Sequence, residues 1–390
     1  MSTHIQEKII LRADKWVNNG FCLGYLDGDT YFISGAIPNE LVECIPVSLT
    51  KKFKHIKVIR VIENSPQRIS PDCDIFLLCG GCTFRHIPYS NELELKKNLF
   101  LSEFNHKFPY TPIISSAIQL ISGNELRYRN NVQFKIQGNK KGFFKFGSND
   151  LIEFPKKGCL NLPDELNQFI NELPIQNKKE GKLRFANKVF DYENTDSEFT
   201  FGKKKVKVPK NGFFQINRYL IEKWLDEIIQ FIPTANLNIL ELFSGSGLIS
   251  LSLADHVSSL IGYELESNAV NYANENAKIN RIQNLAFHTR NLYLEKISQK
   301  YLDNPLWIMN PPRNGLGNLI INQIVSHKPQ YIIYSSCNYQ SLIQDLKRII
   351  IFYSIQKISI VDFFPRTPYF VFLVICIQLL DNSIAFNPTD

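Results

Sequence analysis

A chain of 390 residues and 45.1 kDa is too long for one ordinary domain and reads as two or three. With 44% hydrophobic and 21% charged residues it carries enough apolar material for sizeable cores, which excludes disorder. The net charge of +7 permits an anionic partner without requiring one. The longest apolar run, residues 369–380, falls short of the roughly 18 residues a membrane span needs. The N-terminal MSTHIQEKIILRADK has no apolar signal core, so a cytoplasmic protein without a membrane partner is expected. Eight cysteines are too few for a disulfide scaffold, and any that cluster read as metal ligands or nucleophiles.

In chain order, the first 65 or so residues hold five short alternating segments, IILRADK, FCLGYLDG, DTYFISGAIP, LVECIPVSL and HIKVIRVIE, with turn residues between them. That pattern predicts a small barrel of the oligonucleotide-binding kind over residues 1–68. Residues 69–210 are strand-rich and irregular, with one helix expected over 90–104. From 211 to 390 helices such as 270–278 and 341–351 alternate with apolar strands NILELF, LIGYEL, LWIMN and YIIYSS, which predicts a doubly wound parallel α/β sheet. Lysines and arginines gather at Lys51, Lys52, Lys54, Lys57 and Arg60, at Lys140, Lys141 and Lys145, and at Lys203, Lys204, Lys205, Lys207 and Lys210. Alternating with Phe and Val, they suit a strand with one phosphate-facing side, or a solvated edge protected from aggregation.

Strand NILELF runs into the turn Ser244-Gly245-Ser246-Gly247 and then an apolar helix, so the two glycines sit where backbone bends closely beside a ligand. Glu264, seventeen positions beyond Gly247 at the end of LIGYEL, is placed to accept ribose hydroxyls. A dinucleotide and S-adenosylmethionine both fit; the short glycine turn and the preceding Glu241 favour the latter. LWIMN delivers Asn310-Pro311-Pro312-Arg313 at its carboxyl end, a stiff arm that can hold Asn310 over a flat base. YIIYSS ends at Cys337, where nearby backbone N–H groups can stabilise a thiolate. Finally, Cys73, Cys79 and Cys82 stand with five and then two residues between them, and Cys159 follows in KKGCLNLP. Four such cysteines read as a tetrathiolate site, for zinc or a four-iron cluster alike.

Taken together and in order, NILELFSGSG, Asn310-Pro311-Pro312-Arg313, SSCN around Cys337 and VDFFPRTP at 361–368 resemble the RNA 5-methyluridine methyltransferases, ribosomal-RNA type. GFFQIN at 212–217, LRYRNNVQF at 126–134 and a TRAM-like barrel at 6–65 extend the resemblance over nearly the whole chain. It implies a Rossmann-like methyltransferase domain preceded by the barrel and a β-rich central domain. It implies S-adenosylmethionine bound by Gln215, Phe243, Gly245, Gly247, Glu264, Asn291 and Asn310, with Cys337 adding to carbon 6 of uracil. It also implies a [4Fe-4S] cluster on Cys73, Cys79, Cys82 and Cys159, and a monomer acting on RNA, ribosomal or transfer.

Four positions depart from the pattern. Counting from Phe364-Pro365-Arg366-Thr367, the catalytic glutamate falls at Val371, which takes no proton. Asn310 stands for an aspartate, Leu248 for an asparagine after the glycine turn, and Asn291 for an acidic residue. Asp362 or a water is the substitute base the sequence offers, and a catalytically impaired or inactive, non-enzymatic RNA-binding homologue is the rival. Methylation of an exocyclic amine is disfavoured because Arg313 stands where such sites stack an aromatic.

Overall fold

The computed structural model describes residues 8–174, 179–234 and 236–379. The chain forms two compact units. One comprises the residues up to Ser102, Asn124–Asp191 and Phe364–Tyr369; the other comprises Glu103–Gly123, Tyr192–Phe363 and the residues from Phe370 on.

The first unit opens with β1 (Ile9–Val17), β2 (Phe21–Leu26), β3 (Asp29–Ser34), β4 (Leu41–Leu49) and β5 (Lys54–Glu63). They close a barrel in the order β1-β2-β3-β5-β4, as the five alternating segments predict. Alternation sends Leu11, Cys22, Ile33, Val42 and Ile56 into one core. Glu40 is fully buried because Arg68 donates to both its oxygens, at 2.5 and 2.6 Å, and Ile37 N donates at 2.9 Å.

Helix α1 (Tyr89–Lys107) begins after Pro88, whose carbonyl accepts from Asn91 N and Glu92 N, and it runs from the first unit into the second. Strand β6 (Ile118–Ile121) belongs to the second unit. The first unit resumes with β7 (Asn131–Gln137), β8 (Lys140–Phe144), β9 (Leu151–Glu153), helix α2 (Asp164–Glu172), β10 (Glu180–Phe185) and β11 (Val189–Asp191). Its second sheet, ordered β11-β10-β7-β8-β9, buries Val132, Phe134 and Ile136 with Leu166 and Ile170 of α2. Residues Phe364–Tyr369 complete this unit. Arg366, 5% exposed at φ +67°, donates to the carbonyls of Phe84 and Ile87 and pairs with Glu125 at 2.6 Å. Its own N–H meets Glu92 at 2.7 Å, and Glu92 also pairs with buried Lys96 at 2.7 Å.

The second unit holds a hairpin, β12 (Ser197–Phe201) and β13 (Lys204–Val208), then α3 (Ile221–Gln230), β14 (Asn238–Leu242), α4 (Leu248–Leu253), β15 (Ser259–Glu264), α5 (Ser267–Ile279) and β16 (Leu285–Thr289). There follow α6 (Gln299–Leu302), β17 (Leu306–Met309), α7 (Gly317–His327), β18 (Tyr331–Ser336), α8 (Tyr339–Ile349), β19 (Tyr353–Val361) and β20 (Val371–Gln378). Strands of almost unbroken apolar residues are buried on both faces, the condition of a helix-flanked parallel sheet. The sheet order is β16-β15-β14-β17-β18-β20-β19-β6. The first five strands are parallel, whereas β20 runs antiparallel to both β18 and β19. The expected all-parallel sheet is therefore mixed. Within the apolar run, β20 is deeply buried, with Val371 to Cys376 at most 5% exposed. Among the described residues no helix is long and apolar enough to cross a membrane.

The basic runs are more neutralised than their count suggests. Arg60 pairs with Glu43, Lys140 with Glu153, Lys145 with Asp150, Lys204 with Asp255, Lys205 with Glu198 and Lys207 with Glu275. Lys54 pairs with Asp29, and Lys141 donates to the carbonyls ending α2. The lysines of β13 each pair with a carboxylate of the same unit, the arrangement of a solvated edge.

Candidate active site

The sheet reverses direction of winding between β14 and β17, and in open α/β sheets ligands sit at the carboxyl ends of the strands beside such a point. Four predicted site elements stand there. β14 leads into Phe243 (φ +64°), Gly245 (φ +54°) and Gly247 (φ +82°) before α4. A side chain at Gly247 would be strained: a Cβ would lie 3.0 Å from the Phe287 ring and 3.2 Å from Ala273 Cβ, in a backbone conformation other residues avoid. On the next strand the Glu264 carboxylate accepts from Gly245 N at 2.9 Å, Leu265 N at 2.7 Å and Glu266 N at 3.1 Å. Three of its roughly four lone-pair sites are thus filled. One ribose hydroxyl can be accepted without breaking a bond; accepting two requires the Gly245 contact to open.

Glu241, in the middle of β14, is 1% exposed; Ser250 Oγ donates to one of its oxygens and the other has no partner. Burial pushes its carboxyl up to about 8, so it is neutral at physiological pH and acts as wall rather than charge.

Asn310 follows β17, half-buried, its N–H on Leu242 O at 3.3 Å. Asn291 follows β16 and uses its side-chain oxygen to cap its own turn, accepting from Tyr293 N at 3.1 Å. Gln215 is 8% exposed in a loop anchored on both sides. Phe214 stacks on Phe199 at 4.0 Å, and Asn217 donates to Asp362 O at 3.5 Å. Phe213 is 79% exposed.

Cys337 stands between β18 and α8, half-buried, so it is not sealed in hydrocarbon. Asn338 caps α8 by accepting from Gln340 N at 3.1 Å. Burial raises the Cys337 thiol; the charge and hydrogen bond of Arg313 lower it. Val371 opens β20 opposite Val361 and is 3% exposed, so no carboxylate stands at that register position. Asp362, at the carboxyl end of β19, is fully buried.

Sequence reading missed a clamp that fixes the proline arm. Asn338 Nδ2 donates to Arg313 O at 3.0 Å, Leu316 N and Tyr334 OH both donate to Asp345 at 2.9 and 2.7 Å, and Tyr293 OH donates to Gly315 O at 2.8 Å. Tyr293 in turn lies 5.8 Å from the Phe243 ring. These links span up to twenty-nine positions and leave no local pattern.

The family model for tRNA (uracil-5-)-methyltransferase matches residues 160–377. An uncharacterized RNA methyltransferase of Leptospira interrogans is 34% identical, with 94% of each chain covered. This chain belongs to the tRNA (uracil-5-)-methyltransferase family and is an enzyme of the methyltransferase class. The 23S rRNA (uracil(1939)-C(5))-methyltransferase RlmD of Aliivibrio fischeri is 24% identical over 94% of this chain and 95% of its own. In fold, the tRNA (uracil-54, C5)-methyltransferase of Pyrococcus abyssi, solved with S-adenosyl-L-homocysteine, aligns at TM-score 0.71 and 18% identity, covering 95% of this chain and 100% of that one.

This family member carries its four predicted thiols in the first unit. Cys82 Sγ accepts from Arg85 Nε and Asn161 Nδ2, each at 3.3 Å, and Cys79 Sγ accepts from Gly81 N at 3.3 Å. Arg85 is 2% exposed and locked by Asp72 at 2.7 Å and Asn161 at 2.6 Å. Burial, with a smaller contribution from neighbouring Cys82, raises the free thiols, Cys79 to about 12 and Cys159 to about 11. Among the described residues no three Cys, His, Asp or Glu side chains are gathered closely enough to grip a single metal ion.

Proposed function

We propose that this methyltransferase uses S-adenosylmethionine to methylate carbon 5 of a uridine in 23S ribosomal RNA, with Cys337 as nucleophile. The observation that carries the reading is one sheet edge: Glu264, the glycine turn, Asn310 and Cys337 end four adjacent strands, β15, β14, β17 and β18. At ~4.8 Å per strand that edge is about 14 Å across, the span of a nucleoside and a neighbouring base. Gln215, Phe243, Gly245, Gly247, Glu264, Asn291 and Asn310 would hold the methyl donor, which supplies an electrophilic methyl group when bound. Carbon 5 of uracil is a weak nucleophile. Addition of the Cys337 thiolate to carbon 6 forms a C–S bond and moves the ring electrons into an enolate, which makes carbon 5 reactive. Once carbon 5 carries the methyl group, its proton must leave, and elimination of the thiolate restores both ring and enzyme.

The ribosomal target rests on the Aliivibrio relative, which aligns over 94% of this chain and 95% of its own; transfer RNA is the alternative target, after the family's description. Three functional segments follow: 1–68 as a TRAM-like RNA-binding barrel, 69–210 bearing the thiols and 211–390 performing the transfer. On the barrel, Phe53 is 37% exposed against Phe32 at 4.6 Å, a surface suited to a stacked base. We assign a [4Fe-4S] cluster to Cys73, Cys79, Cys82 and Cys159. A four-thiolate set with N–H donors on two of its sulfurs suits a net anionic group.

The test is incubation with methyl-labelled donor and RNA, then a denaturing gel and mass spectrometry of the digested RNA. Methylation at uracil carbon 5 that Cys337→Ala abolishes is the expected result. Because Val371 stands where a base is needed, release should be slow, by ~10²–10⁴-fold if general-base catalysis has its usual worth, and a covalent protein–RNA band should accumulate. Methyl groups on nitrogen, or product undiminished in Cys337→Ala, would overturn the reading.

A further inference from the structure

Resting on the reading that Gln215 and the glycine turn hold the methyl donor, we propose that Asn276 is a positioning residue that fixes those two parts of the site relative to each other. Among the described residues the hairpin of β12 and β13 pairs with no third strand, and α5 closes its open edge with two asparagines. Asn280 Oδ1 accepts from Lys205 N at 2.9 Å, and its Nδ2 donates to Lys205 O at 2.7 Å. One turn back, Asn276 Oδ1 accepts from Lys207 N at 2.8 Å, and its Nδ2 donates to Lys207 O at 2.9 Å. The match is geometric. Four helical residues rise about 6 Å and two strand residues about 6.6 Å, so side chains at i and i+4 meet alternate residues of the strand. Each strand residue offers one donor and one acceptor, which fixes how both amides are turned.

The two asparagines differ in their remaining amide hydrogen. Asn280 gives it to its own helix, at Asn276 O, 2.8 Å away. Asn276, 0% exposed, gives it to Ser246 O at 3.1 Å, inside the glycine turn. One buried side chain thus joins β13 to the turn between β14 and α4. On the turn's side, Gly247 lies against the same helix, where a Cβ would stand 3.2 Å from Ala273 Cβ. On the hairpin's side, Gln215 stands seven positions beyond the end of β13, and the loop between is pinned along its length. Lys210 N donates to Asp196 at 2.9 Å, Asn211 N donates to Tyr192 O at 2.7 Å, and the Phe214 ring stacks on Phe199 of β12 at 4.0 Å. The place of Gln215 therefore follows the hairpin, and the hairpin follows the glycine turn through Asn276. A donor that bridges the two meets groups already in register, so binding does not have to order them.

The experiment titrates S-adenosyl-L-homocysteine into the full-length protein by calorimetry, with urea unfolding of the same samples to show that each is folded. Asn276→Leu and Asn280→Leu each delete three hydrogen bonds, so a merely structural role moves the two variants alike. Positioning separates them. Asn276→Leu should bind about ten-fold more weakly, the scale of one hydrogen bond's worth of lost order at the site. Asn280→Leu should bind within about two-fold of the parent, as a substitution away from the site does. Should the leucine variants misfold, Asn276→Ala and Asn280→Ala make the same comparison, with water reaching the freed groups. Unchanged affinity in the folded Asn276 variant, or equal weakening in both, overturns the proposal. The two readings fail separately. A parent protein that does not bind S-adenosyl-L-homocysteine overturns the assignment of the donor to this sheet edge; a parent that binds, beside an Asn276→Leu that binds equally well, overturns the coupling alone.

Discussion

Replacing Glu241 with glutamine should invert its effect on stability across the neutral pH range. In the folded chain this carboxyl lies at 1% exposure with one oxygen unpartnered, and burial, outweighing the Ser250 hydrogen bond, lifts it from an ordinary 4.5 to about 8. A raised carboxyl contributes stability that is fully present below the unfolded-state value and lost as pH climbs through the folded one. The window is therefore pH 4.5 to 8, with stability falling upward. Three and a half pK units at ~1.36 kcal/mol each give a total of about 4–5 kcal/mol, of which roughly 3–4 kcal/mol falls between pH 5 and pH 8. Glutamine does not titrate. Its amide brings a donor to an unpartnered position at a pH-independent cost of ~1–3 kcal/mol. Glu241→Gln should thus be the less stable protein at pH 5 and the equal or more stable one at pH 8. Urea unfolding at four pH values measures this by fluorescence, since Trp224 and Trp307, two of the three tryptophans, report on the second unit. Curves for the two proteins that stay parallel to within ~1 kcal/mol would refute the reasoning and place an ionised carboxylate in β14.

Three further outcomes are expected. Glu92→Gln strips the carboxylate shared by Lys96 and Arg366, leaving buried cations short of a partner, and should cost ~3–5 kcal/mol by thermal unfolding of the first unit. Asn338→Ala removes both the cap of α8 and the tie to Arg313 O; it should cost about 1 kcal/mol in urea melts and lower the turnover of RNA more than the affinity for methyl donor measured by calorimetry. Gly315→Ala should weaken the same arm, because the new methyl meets Asp345 Oδ2 at 2.5 Å in a left-handed turn; a midpoint within about 0.5 kcal/mol of the parent would contradict that geometry.

Local pattern carried the element types well. Period-two alternation located the five barrel strands, and apolar runs ending in glycine or proline located β14, β15, β17 and β18 with the residues at their carboxyl ends. What stayed hidden is non-local. The run at 369–380 gives no sign of its direction, since antiparallel pairing with β18 and β19 depends on a register set by distant strands. Lys204 and Lys207 looked free because their partners, Asp255 and Glu275, lie more than fifty residues on. The arm's clamp and the Arg366 network were invisible for the same reason, although Arg313 beside two prolines was a signal that could have been followed. Residues Val371 and Leu248 were legible as departures from a family pattern, and the buried, apolar surroundings of Val371 give the first of them a physical setting.

The six residues Phe364–Tyr369 bear on how the polypeptide matures on the ribosome. They belong to a unit whose other members all precede residue 192, so that unit waits for almost the entire message to be read before its last piece emerges. Until then Glu92 holds Lys96 but lacks Arg366, and the carbonyls of Phe84 and Ile87 lack their guanidinium donor. Early vectorial completion of an N-terminal domain is closed to this chain, and nascent fragments ending before Arg366 should engage chaperones that the finished protein escapes.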